Sequence, residues 1–342
     1  MATILPAILL ALGIVLFAVL LYRGQGFRAW TALAALAIAA WAFCGIDSPR
    51  LFWCVTALAA IAAVLFGVDS LRQRLVSAPL MRWVGGILPQ VGETERTALD
   101  AGTVWWDGEL FSGTPDWRRL LDFPAPHLTE TEQAFLDGPV DELCAMIDDW
   151  QIAQDRALPE GIWEFLRKNR FFGMIIPVEF GGLGFSALAH SAVVTKIASR
   201  SVTVAVTVMV PNSLGPGELL IHYGTEQQKT HFLPRLASGE DLPCFALTEP
   251  TAGSDAAATT STGIVCHGLH DGEEVLGIRL NWTKRYITLA PVATVIGLAF
   301  RMHDPDGLLG GDSDLGITCA LIPRGLPGME IGNRHDPMGV PF

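Results

Sequence analysis

Three long stretches without a charged side chain crowd the first 68 residues: Met1–Tyr22, Ala29–Ile46 and Leu51–Val68. In lipid every backbone N–H and C=O has to be paired within its own segment, which makes each such stretch a helix. A span takes roughly 20 apolar residues, with a range of about 17–25, so the sequence reads as three transmembrane helices. The competing readings are a signal peptide or a buried core helix. A signal peptide opens on positive charge and closes at a small-residue cleavage site. Here residues 2–10 are uncharged and two more apolar runs follow at once.

Charge then predicts orientation. Arg23 and Arg28 lie between the first two stretches, Asp47 and Arg50 cancel between the second and third, and Arg72, Arg74 and Arg82 follow the third. Cytoplasmic loops carry the excess of arginine and lysine. The first loop and everything after residue 69 are therefore expected on the cytoplasmic side of the inner membrane. Six cysteines, at positions 44, 54, 144, 244, 266 and 319, form no C-x-x-C pair, in keeping with reduced thiols. The net charge is −12, but residues 1–68 carry +2 and the remainder −14. So acidic a bulk argues against nucleic acid as a partner, because phosphate is bound through basic patches. Membrane lipid is the expected partner of the N-terminal part.

The predicted organisation is 1–68 transmembrane, 69–128 connecting, 129–242 helical and 243–342 β, an α+β chain. Residues 77–128 are rich in Pro, Gly and Trp, with few long apolar periods. Thr129 with Glu132 fits a capping box, and behind it Phe135, Val140, Leu143, Met146, Ile147 and Trp150 recur at mixed three- and four-residue steps. Pro159 opens a helix to about Asn169. Further helices are predicted at 186–199, 201–210 and 213–223, and Thr225 with Gln228 makes a second capping box. From residue 243 the sequence breaks into short β-favouring runs, including Gly263–Cys266, Val275–Leu280, Val292–Phe300 and Ile317–Ile322.

Several familiar signals fail. Gly181–Gly184 lacks the third glycine and the preceding strand of a dinucleotide fingerprint. Asp304–Gly307 resembles the start of a calcium loop, but its twelfth position is Leu315 where a bidentate Glu is needed, so it reads as a turn. His267 and His270 lack a second zinc-spaced pair and read as a surface turn; no metal is expected. Neither G-x-x-x-x-G-K-[ST] nor G-x-S-x-G occurs.

One stretch stands out: Cys244–Asp255, CFALTEPTAGSD, at the change from helix to strand. It combines the hydroxyls of Thr248 and Ser254, a Glu-Pro turn and Gly253, and can aim consecutive N–H groups at an electron-rich ring edge and at a phosphate. A polar domain-joining turn is the plain alternative. A second segment, Tyr286-Ile287-Thr288, supplies an aromatic face and a hydroxyl on an apparent strand, where alternation puts 286 and 288 on one face.

Together these segments resemble the acyl-CoA dehydrogenase family, whose signature is T-E-P-x-A-G-S-D. Gly224–Lys229, Leu233–Leu236 with Gly239-Glu240, and Pro177–Gly182 resemble its upstream sequence. Trp105–Phe111, Val210–Leu220 and Asn281–Ala290 are similar to its large membrane-associated bacterial members of fatty-acid β-oxidation. The resemblance, over about residues 75–342, implies an N-terminal helical domain and a middle β-domain. It implies FAD as cofactor, with Phe245, Leu247 and Thr248 at the flavin's pyrimidine edge, Gly253 and Ser254 beside the cofactor and the pantetheine–phosphate part of CoA, and Thr288 on flavin N5. Tyr286, where many relatives have Trp, would lie against the flavin face, with Ile287 beside it. The implied reaction turns a fatty acyl-CoA into a trans-2-enoyl-CoA in a homo-oligomer and passes electrons to an electron-transfer flavoprotein. The family's base is a glutamate on a C-terminal helical domain. The chain reaches Phe342 within the β-unit, so that domain is expected to be absent, the chain to be an incomplete sequence of a longer enzyme or else an inactive form, and no catalytic base is named. Glu249 is expected to be structural. A non-catalytic, membrane-anchored acyl-CoA-binding scaffold and an acyl-CoA oxidase are the alternative functions.

Overall fold

A computed structural model describes residues 4–45, 47–88, 91–102, 104–213, 215–270 and 272–341. Residues 1–3 and Ile46, from the first two expected spans, Leu214 within the expected helix 213–223, and Phe342 fall outside the described residues. The chain forms two units, Met1–Arg96 and Thr97–Phe342.

The first unit opens with three helices: α1 (Ile4–Tyr22), α2 (Gly26–Cys44) and α3 (Pro49–Gly67). Each has 19 residues, about 28 Å at 1.5 Å per residue, close to the ~30 Å of a bilayer's hydrocarbon core. By length and composition α2 and α3 are each long and apolar enough to cross a membrane. Small residues let the helices approach. Gly13 lies against Leu33 and Leu36, and a Cβ on Gly67 would meet the Phe27 ring at 2.6 Å. Phe17 packs edge-on to Trp30 at 4.8 Å, and Trp41 to Phe52 at 5.4 Å. Outward residues such as Leu12, Leu58 and Ile61 stay exposed. The expected connecting region proves helical at its start: α4 (Asp69–Arg72), a π-turn (Gln73–Ser77) and α5 (Ala78–Gly85). The π-turn inserts a residue into the apolar spacing, which hides the helical period from the sequence.

Apolar length alone does not make a span. Val202–Tyr223 is also long and apolar enough, yet it lies in the second unit as two helices, Val202–Met209 and Pro216–Tyr223, around a 3-10 turn at Val210–Asn212. Buried Asn212 locks the break. Its Nδ2 donates to the carbonyls of Phe171 (2.6 Å) and Val208 (2.8 Å), and its Oδ1 accepts from the Ile175 N–H at 3.3 Å.

The other helices of the second unit's helical part are Glu130–Asp137, Pro139–Met146, Asp149–Asp155, Glu160–Lys168, Ala187–Ala198 and Glu226–Ser238. Both predicted capping boxes form. Phe135, Leu143, Leu166, Phe171, Phe172 and Ile197 build the core. Two residues of the expected periodic run are exposed: Met146 by 45 % and Trp150 by 75 %. Gly138-Pro139 and the Asp148 cap divide the expected periodic run, and each break resets the helical phase.

Five strands follow: β1 (Pro243–Ala246), β2 (Thr262–His270), β3 (Glu273–Asn281), β4 (Val295–His303) and β5 (Asp314–Pro323). The order is β1-β4-β2-β3, with β5 also paired to β4. β5 runs antiparallel along β4 from Val295 to His303. The opposite edge of β4 is therefore shared by β1 and β2, both parallel to it. His267 and His270 lie on β2, not in a turn; ladder pairing with β3 carries them, and His267 Nδ1 faces Glu274 Oε1 at 3.7 Å. The Asp304–Gly307 turn forms around buried Asp304, whose carboxylate accepts from the N–H groups of Leu308 and Leu309.

Glu132 joins two helix starts. It accepts from the Ser186 N–H at 2.7 Å and, as the capping-box partner, from the Thr129 N–H at 2.8 Å. The Ser186 bond and then the Thr129 bond outweigh burial and bring its pKa from 4.5 to about 2. A depressed carboxylate stabilises the fold above its unfolded pKa and loses that contribution as pH falls through the folded value. Glu132→Ala is expected to destabilise the protein by about 1–3 kcal/mol in denaturant titration. Glu132→Gln should keep a cap but flatten the loss of stability between about pH 4.5 and 2.

Candidate functional site

β1 ends at Ala246 opposite Leu298, and β2 begins at Thr262 opposite Arg301. Only Ala299 and Phe300 of β4 separate those points, so residues 247–261 have to leave the sheet as one loop. The Glu249 N–H donates to the Ala252 carbonyl at 2.8 Å and closes a turn over Pro250 and Thr251.

The Glu249 side chain points inward to Lys284 Nζ at 2.8 Å, and both side chains are 1 % exposed. The same carboxylate accepts from the Thr259 hydroxyl, from the N–H (2.7 Å) and hydroxyl (2.8 Å) of Thr260, and from the Ser261 N–H at 3.0 Å. Burial pushes the carboxyl up, but Lys284 and these donors outweigh it and hold it far below the usual glutamate range. Glu249 is thus committed as a strut and is not a free base. Lys284 also donates to the Leu247 carbonyl at 3.0 Å, and the Arg285 N–H donates to the Thr248 carbonyl at 2.9 Å. The two stretches singled out in the sequence are therefore stitched to each other.

Tyr286 and Thr288 are not on a strand. β3 ends at Asn281 and β4 starts at Val295, and residues between them form a loop with Tyr286 at φ +58° and Leu289 at φ +66°. Left-handed backbone breaks the alternation that strand geometry requires. It costs on the order of 1–3 kcal/mol per non-glycine residue. The surroundings hold it in place: Leu289 is fully buried, its carbonyl accepts from the N–H groups of Val292 and Ala293, and Arg324 Nη1 donates to the carbonyls of Ala290, Pro291 and Ala293.

Tyr286, Ile287 and Thr288 nevertheless share a hollow. They line a cavity of about 460 Å³ with Cys244 and Ala246 of β1, Trp282, Ile296 and residues 330–337, a size within the roughly 300–1,000 Å³ usual for ligand pockets. The Thr288 hydroxyl makes no hydrogen bond among the described residues and stays available. Burial pushes the Cys244 thiol on this wall up to about 12, so it remains neutral. The Tyr286 ring is flanked by His335 at 4.4 Å and by the Arg285 guanidinium at 4.8 Å.

The remaining expected residues are not among those lining the cavity. The Phe245 side chain turns to the other face of β1, toward Gly297 and Gly215. Leu247 and Thr248 follow where β1 gives way to the loop, and Gly253 and Ser254 are exposed further along it. A Cβ on Gly253 would meet nothing within 4 Å, so no neighbour in the chain demands glycine there. Sequence reasoning missed Lys284, Arg324 and His335. Their partners lie 31 to 49 positions away, and no local spacing signals such pairs.

The N-terminal domain of acyl-CoA dehydrogenases matches residues 128–240, and their middle domain residues 244–342. The chain belongs to the acyl-CoA dehydrogenase family. It is 30 % identical to an acyl-CoA dehydrogenase of Bacillus subtilis, over 51 % of this chain and 42 % of that one. It is 28 % identical to the mitochondrial short-chain specific acyl-CoA dehydrogenase of Mus musculus, over 67 % and 52 %. The structure of butyryl-CoA dehydrogenase from Megasphaera elsdenii shares the fold, with TM-score 0.51 at 24 % identity over 64 % of this chain and 55 % of that one. The chain thus spans about half the length of the curated relatives it matches.

Lys284→Met would leave a buried carboxylate without its counter-charge, a loss of about 3–5 kcal/mol, read as a fall in melting temperature. Combining it with Glu249→Gln should recover part of that loss. If Lys284→Met alone were neutral, the pair would not be what closes the loop.

Proposed function

We propose that this chain provides the membrane anchor and the flavin-side walls of an FAD-dependent acyl-CoA dehydrogenase that converts fatty acyl-CoA to trans-2-enoyl-CoA, with an electron-transfer flavoprotein as acceptor. The observation that carries the reading is the bond from the Arg285 N–H to the Thr248 carbonyl, which joins the signature loop to a cavity wall bearing a free Thr288 hydroxyl. Family membership supports FAD, and the residues are suited to it: the Thr288 hydroxyl and the apolar flank of Ile287 and Ala290 line the cavity, and a second hydroxyl with no hydrogen bond among the described residues, Thr248, sits in the loop tied to that wall.

FAD, when bound, supplies the acceptor for the hydride that leaves the substrate's β-carbon. Thr288 and Thr248 would hold the polar edge of the ring system, where fixed donors favour the negative charge that builds on reduction. Ile287, Ala290 and Ile296 exclude water from that wall. Ser254, exposed in the signature loop, is free to meet the pantetheine–phosphate part of CoA. Glu249 is occupied by Lys284, so the proton at the α-carbon is not assigned to it.

The anchor reading rests on the apolar composition of α1, α2 and α3, which carry no charged side chain beyond Arg28 and Arg50 in the first turns of α2 and α3, and the arginine distribution favours an inner-membrane protein with its second unit on the cytoplasmic side. Residence at a membrane suits long acyl chains that dissolve poorly in water.

The test is flavin binding by the detergent-solubilised chain, followed by quenching of FAD fluorescence. Saturable quenching is expected, weakened roughly three- to tenfold in Thr288→Val by the loss of one hydrogen bond. Absence of quenching in the folded protein, or indifference to Thr288→Val, would overturn the assignment.

A further inference from the structure

The helical segment after α3 has a continuous apolar stripe that no part of its own unit covers. Val68, with φ −98° and ψ 106°, interrupts the helix, so the run beginning at Asp69 is a new helix. Leu71 and Leu75 are four residues apart, Leu75 and Leu80 five, and Trp83, Val84 and Ile87 follow Leu80 at three, four and seven. In an uninterrupted α-helix the five-residue step would turn Leu80 about 140° away from Leu75. The π-turn at Gln73–Ser77 overlaps the first part of that step; its wider i→i+5 pairing brings Leu80 back toward the face of Leu75. Leu75, Leu80, Trp83 and Ile87 are between 53 and 66 % exposed.

The polar side is cationic. Arg82 lies about 200° round the helix from Leu80. Asp69, the one acidic residue of 69–88, is paired with Arg72 at 2.8 Å. Among the described residues Arg74 and Arg82 have no carboxylate partner.

We infer that residues 69–88 form an interfacial helix that lies on an anionic lipid surface, with Leu75, Leu80, Trp83 and Ile87 in the acyl boundary and Arg74 and Arg82 at the headgroups. The occupant is lipid because α3 ends at Gly67, one residue before this helix begins. On the proposed membrane reading, that continuity holds the segment at headgroup depth. An apolar stripe bearing Trp, backed by arginine, is the composition that settles in an interface plane. The inference rests on α1–α3 being spans, and its function is orientation: it would fix how the chain leaves the bilayer.

The test is hydrogen exchange of the full chain in nanodiscs of phosphatidylcholine alone or mixed with phosphatidylglycerol. Peptides from α1–α3 should be protected in both. Amides of 69–88 should exchange more slowly in the anionic discs, by about fivefold for each of the two arginines. Arg74→Gln with Arg82→Gln should abolish that difference and leave exchange in α1–α3 and in 129–340 unchanged, which also shows that the variant is folded. Protected spans with 69–88 indifferent to lipid charge would overturn the interfacial helix alone. Equal protection of 69–88 in detergent and in both discs would also overturn it and assign the stripe to the chain's own second unit. Free exchange in α1–α3 would overturn the span reading and this inference with it.

Discussion

Lys284 Nζ lies 2.8 Å from the Glu249 carboxylate, with both side chains 1 % exposed. Two charges removed from water this completely persist only if each keeps its partners. For Glu249 the partners are successive residues, Thr259 to Ser261, at the point where the loop rejoins the sheet. For Lys284 they include the Leu247 carbonyl where β1 ends. One ion pair thereby ties the loop's exit, its turn and its return to the neighbouring loop that carries Tyr286, Ile287 and Thr288. The position of Thr288 beside β1 follows from it.

The sheet creates the need for such a tie. Because β1 and β2 share one edge of β4 end to end, the residues between them are expelled at a gap of only two positions. A loop of that length would be mobile if it were held by its ends alone. The strain at Tyr286 and Leu289 is sustained in the same way, by Arg324 and by the burial of Leu289. The family's signature is thus a local solution to a topological gap, and the cavity wall lies beside it.

The N-terminal unit obeys different physics. Its helices set Gly13 against Leu33 and Leu36 and Gly67 against Phe27, and leave leucine, isoleucine and valine exposed, a surface that water penalises. The segment Val202–Tyr223 shows the contrast: somewhat less apolar, with mean hydropathy 1.3 against 1.5 for α2 and 1.9 for α3, it is broken by Pro211 and Pro216 and largely buried within the second unit.

Features that depend on neighbours along the chain could be read directly from the residues. The three apolar helices, the capping boxes at Thr129 and Thr225, the change from helix to strand near residue 243 and the signature loop were all legible, because periodicity, capping and turn chemistry act over a few residues. Features that depend on residues far apart in sequence emerge with the folded chain. Folding paired Lys284 with Glu249, moved Tyr286 and Thr288 from a strand to a left-handed loop, and set His335 against Tyr286. It also turned Met146 and Trp150 outward and joined an apolar stripe across a π-turn. Burial, strain and charge pairing over tens of residues leave no spacing to read, since their energy exists only once the chain has folded back on itself.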